Sequence, residues 1–75
     1  MNKRRRDFLR QGHSQIEDAK GLIDMALEEE QESYDNLPDS IQASGMGDEM
    51  QENIDALQEI TDALDEVLSN LEDLL

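Results

Sequence analysis

The sequence predicts an all-α protein, an antiparallel two-helix hairpin over about residues 5–34 and 46–74 that associates with itself into a helical bundle. Three observations predict it. Apolar residues recur every seven positions in both halves of the chain, aromatic residues are only 3% of the total, and the one proline, Pro38, stands between the two periodic stretches. A β-sandwich, a barrel or a deep pocket would lack large apolar side chains, because 36% of residues are apolar against 35% charged. A chain of this size buries only about 60% of the surface that its unfolded form exposes. Residues 1–75 therefore make one domain with a thin core, and no cysteine is present to staple it through a disulfide or a thiolate zinc site. Small chains of this kind gain stability by oligomerising or by leaning on a partner.

The first helix rests on Leu9, Ile16 and Ile23, with Leu27 and Tyr34 continuing the seam and Phe8 and Leu22 beside it. Gly12 and Gly21 fall inside it, and each costs about 1 kcal/mol relative to alanine. Gly12, Ala19, Ala26 and Ser33 form a second row of small side chains, also seven apart. Such a row lets another helix approach closely; the competing reading is a tolerated surface. Ahead of this helix, residues 1–6 form a basic arm. In an antiparallel pair Lys3, Arg4, Arg5 and Arg6 would meet Glu72, Asp73 and the terminal carboxylate, relieving cations at a helix N-terminus and anions at a C-terminus. The competing reading is a nucleic-acid or membrane anchor, which so few cations would have to sustain against the acid that follows.

The connector spans 35–47. Asn36 suits the end of the first helix, and Pro38 pushes Leu37 toward extended geometry. Pro38 to Gln42 can add one short helical turn, with Leu37 and Ile41 capping the end of the core. Ser44 or Gly45 suits the N-cap of the second helix, and Asp48 and Glu49 then stand in its first turn, where carboxylates favour the positive end of the dipole.

The second helix carries the plainest period. Met50, Leu57, Leu64 and Leu71 recur at seven; Ile54, Thr61, Leu68 and Leu75 lie four beyond each, and Ile60, Val67 and Leu74 three beyond. With Ala56 and Ala63 on its flank, the apolar stripe is wider than one partner helix can cover. Ile54, Leu57, Ile60, Leu64, Val67, Leu68 and Leu71 are accordingly the expected core and self-association residues.

The run Glu29-Glu30-Gln31-Glu32-Ser33-Tyr34-Asp35-Asn36-Leu37-Pro38-Asp39-Ser40-Ile41-Gln42, followed by Ser44, Gly47 and Met50, resembles a group of small acidic proteins of phage and bacterial genomes. Those proteins look like helical hairpins with a Lys/Arg-rich arm, an Asn-Leu-Pro-acid-Ser-aliphatic-Gln turn and a Ser-x-x-Gly-acid-x-Met helix start. The resemblance covers about 28–50 specifically and the flanks only by charge and period. Gly45 and Met46 depart from it, standing where a charged pair is usual. What the resemblance implies is a fold and a phage origin, with no functional residue carried over.

Chemistry is narrowed by exclusion. His13 is the only histidine and has no cysteine near it, and no phosphate-binding glycine loop or calcium loop occurs. It reads as a partly exposed structural residue, with a pH-sensing role as the competing reading. Paired carboxylates need a desolvated cleft to separate their pKa values, and a thin hairpin supplies none. The expectation is a protein that is not an enzyme, with no metal and no cofactor. No apolar stretch reaches the roughly 18 residues of a membrane span, and the basic start lacks the apolar segment of a secretion signal, so a cytoplasmic protein is expected, in the host cytoplasm if phage-encoded.

Charge is divided sharply. Residues 1–10 hold five basic side chains against Asp7, whereas residues 11–75 hold Lys20 as their only basic side chain against nineteen carboxylates, within a net charge of −14. This repels nucleic acid and anionic lipid and favours a basic protein surface. Glu52, Asp55, Glu59, Asp62, Glu66 and Asp73 recur at helical spacing along one edge of the second helix, which has no basic residue to offset like-charge repulsion at i,i+4. They are the expected partner-binding face. The expected function is occupation of a basic groove on another protein, a nucleic-acid-binding groove being one candidate, as a phage-type inhibitor of a host nuclease or defence complex would do. A solvated face that is merely acidic is the blander reading. The alternative function is a structural or assembly protein that docks through its apolar stripe, with the charge serving solubility.

Overall fold

The computed structural model describes residues 1–75. It contains three helices and no strand: α1 (Lys3–Asp35), α2 (Asp39–Gln42) and α3 (Gly45–Glu72). The molecule is 58 Å long and only 15 by 12 Å across. α1 lies against α3, and the links between them run in opposite senses along the two helices: Lys20 reaches Asp65, and His13, further back on α1, reaches Glu72, further on along α3.

α1 begins within the segment expected to be an arm. Asn2 holds extended geometry and its side-chain oxygen accepts from the Arg5 N–H at 2.9 Å, so a side-chain cap starts the helix. Lys3 to Arg6 are therefore its first turn, with cations at the positive end of the dipole. The expected internal ion pairs of these residues do not form. Register is the reason: Glu72 stands opposite His13, so Arg6 lies seven residues, or about 10 Å, beyond the last turn of α3. Arg4 sits over the Phe8 ring instead, at 5.5 Å from its centroid, and Arg10 pairs with Asp7.

The connector follows the sequence closely. Asn36 ends α1, its N–H bonded to the Glu32 carbonyl, and α2 is the short turn after Pro38. Gln42 ties that turn back to α1 by donating its side-chain amide to the Tyr34 carbonyl at 2.9 Å. Leu37 is half-buried, but Ile41 is exposed and does not cap the core. Ser44 occupies the N-cap position of α3, yet its hydroxyl donates back to the Ile41 carbonyl and caps no α3 amide.

The core is one file of residues on α3. Gly47, Ile54, Thr61 and Leu68 are buried, seven apart, while α1 has no fully buried residue. The centre of the seam is thus the Ile54–Thr61–Leu68 row, and the Leu57, Leu64 and Leu71 row lies half-buried beside it. Thr61 is tolerated there because its hydroxyl donates to the Gln58 carbonyl of its own helix at 3.0 Å. Gly47 admits α2: a Cβ at this position would overlap the Gln42 carbonyl. The small row of α1 does not set contact with α3, since Ala19, Ala26 and Ser33 are exposed and a Cβ on Gly12 would meet nothing. α1 is rotated so that Lys20 and His13 border the seam toward Asp65 and Glu72, and this row lies on the other side of the Ile16–Ile23 row.

Candidate functional site: two opposite flanks

Lys20 and His13 define one flank of the helix pair. Lys20 Nζ lies 3.0 Å from Asp24 and 3.3 Å from Asp65, so the only cation of residues 11–75 bridges α1 and α3. Hydrogen bonds to Asp24 and then Asp65 raise its pKa above the ordinary 10.5, against an opposing effect of burial. His13 places Nδ1 2.9 Å from Glu17 and Nε2 3.0 Å from Glu72. Each ring nitrogen thus faces a carboxylate, Nδ1 one on its own helix and Nε2 one on α3.

Beyond these links the flank is acidic on both helices. Asp65 and Glu72 fall four residues after Thr61 and Leu68, which turns them to this side of the seam, and Glu52, Asp55, Glu59, Asp62, Glu66 and Asp73 continue around α3 from them. All six are exposed and none is in an ion pair; Asp55 accepts one hydrogen bond, from Gln51 at 3.0 Å. Across from them, an open groove is lined on the α1 side by Leu27, Glu28, Gln31, Glu32 and Asp35 and on the α3 side by Gln58. The groove has one apolar wall residue and no cation. Nowhere do three or more acidic or histidine side chains converge in metal-holding geometry.

The other flank is apolar. Ile60, Val67 and Leu74 each fall one residue before the central row and are 45%, 43% and 49% exposed. On α1, Ala19 and Ala26 lie on the side of the Ile16–Ile23 row away from Lys20, which puts them on this same flank, with Leu22 exposed next to them. The six expected acidic residues therefore share one side of the molecule. The seven expected core residues divide: Ile54 and Leu68 are buried, Leu57, Leu64 and Leu71 are half-buried, and Ile60 and Val67 face outward.

Sequence reasoning missed Gly47 and Lys20. Gly47 stands one heptad before Ile54, where a seam residue belongs, and that position was the available signal. Lys20 was visible as a solitary cation in an acidic stretch, and its partners Asp24 and Asp65 follow only once the register between helices is known. Comparison of the chain with protein-family models, with curated proteins and with solved structures gives no match. No helix is long and apolar enough to cross a membrane.

Proposed function

We propose that this protein is a non-enzymatic binding protein, a helical hairpin that associates with itself through its apolar flank and offers its acidic flank to a basic groove on a protein partner. The observation that supports this most is the opposition of the two flanks. Six exposed carboxylates without ion pairs lie along α3 on one side, and Ile60, Val67 and Leu74 are exposed on the other. Like charges repeated at i,i+4 destabilise a helix by about 0.2–0.5 kcal/mol per pair, a cost that a basic partner offsets by direct pairing and counterion exchange. A groove that holds nucleic acid presents the row of positive charge that such an acidic edge would pair with. The resemblance of 28–50 to small acidic phage proteins implies a phage origin, and a phage-encoded binder with this acidic flank is read as an inhibitor of a host nuclease or defence complex, acting in the host cytoplasm.

The test uses a partner captured from host lysate, whose affinity is then measured for two variants at low and high salt. Replacing Glu52, Asp55, Glu59 and Asp62 by glutamine or asparagine removes charge at nearly constant shape, so affinity falls and its salt dependence flattens. A second reading, assembly through apolar docking, is favoured by the exposure of Ile60, Val67 and Leu74. It takes over if the neutralised variant binds as well as the parent while Leu64→Ala abolishes binding without unfolding the chain.

A further inference from the structure

The apolar flank changes character along the molecule, and the change carries an orientation. On α1 the row that holds exposed Leu22 runs seven residues on to Glu29, and the row that holds Ala19 runs back through Gly12 to Arg5. Arg5 is exposed and without an acidic partner, because α3 ends before reaching it. At the connector end the same flank carries Glu29, in the Leu22 row, with no cation nearby. The flank is thus basic at one end, apolar in the middle and acidic at the other.

Resting on the self-association proposed above, we infer that the second copy lies antiparallel, with Arg5 of each copy against Glu29 of the other. The midpoint between residues 5 and 29 is residue 17. That is the level of Leu68 on α3, given that Lys20 faces Asp65, one residue from Val67 on α3 and two from Ala19 on α1. A two-fold axis there superposes the apolar centres, α1 on α1 near Ala19 and α3 on α3 near Val67, with Ile60 of each copy near Leu74 of the other, in the same register that brings the charges together. The small side chain of Ala19 lets the two α1 helices approach closely at the axis. A parallel dimer would set arginines against arginines and glutamates against glutamates, a like-charge arrangement that costs binding. Nucleic acid is the other claimant for the arginines, and the carboxylates along the rest of the chain repel it.

Charge reversal tests the pairing. Both positions are exposed, so helicity by circular dichroism stays at the parent level in each variant. Arg5→Glu or Glu29→Arg alone weakens the dimer about tenfold in sedimentation equilibrium at low salt, and the double reversal restores it to within about threefold. Since the chain has no cysteine, engineered thiols report orientation directly. Ala19→Cys cross-links to itself across the axis, whereas Ser33→Cys copies stand about 48 Å apart and do not. A dimer in which Ser33→Cys cross-links and neither reversal matters overturns the antiparallel arrangement while leaving self-association standing. A folded chain that stays monomeric at micromolar concentration overturns both.

Discussion

α1 and α3 are both long amphipathic helices, yet they hold the fold in different ways. α3 supplies every buried residue, with Ile54 only 1% exposed, and α1 supplies none. α1 instead contributes half-buried Leu9, Ile16, Ile23, Leu27 and Tyr34, together with Lys20 and His13, the two side chains that reach carboxylates across on α3. The difference teaches that a thin core can be asymmetric. One helix is embedded along a single row, and the other lies over it as a cover fixed at its polar edge.

Breaking the embedded side produces the largest effect. Ile54→Ala leaves a cavity beneath α1 and should cost about 2–5 kcal/mol in urea denaturation, whereas Ile23→Ala on the half-buried cover costs roughly half as much. Equal losses at the two positions would remove the asymmetry. The glycines sharpen the same contrast in sign. Gly47→Ala forces its methyl group into the Gln42 carbonyl and should cost about 1–3 kcal/mol, seen as a lower melting temperature. Gly21→Ala on α1 meets nothing and should stabilise by up to about 1 kcal/mol through helix propensity alone.

The smallest effect is the titration of Lys20. Because its folded pKa is raised above 10.5, its contribution to stability is fully present below that value and is lost as pH rises through the folded pKa. The urea midpoint should fall at alkaline pH, and Lys20→Met should abolish that part of the fall. An unchanged alkaline slope in the variant would mean that the bridge to Asp24 and Asp65 contributes nothing.

Much of the fold was legible because it depends on local chemistry. The heptad rows, the Asn36 stop, the turn after Pro38 and the start of α3 after Ser44 each follow from the preferences of one or two residues. The acidic flank was legible too, since Glu52 to Asp73 share an edge by helical spacing alone. What sequence left open was rotation and register between helices. The Leu57–Leu64 row and the Ile54–Leu68 row were both apolar, and only packing placed the second at the centre. The same missing register led to the expectation that Lys3 to Arg6 would meet Glu72, which His13 holds instead.

The buried file of Gly47, Ile54, Thr61 and Leu68 also governs how the molecule comes apart. Its rungs are about 10 Å apart, one per two turns, so no rung touches the next directly. Opening such a structure resembles undoing a zipper more than dissolving a droplet. It starts where α1 outruns α3 and the last rung is Leu68, and it travels toward the connector, which the Gln42 to Tyr34 bond and the close seat of Gly47 hold shut. Amide protons should therefore exchange in a gradient along both helices, fastest near Phe8 and Leu71 and slowest beside Ile54.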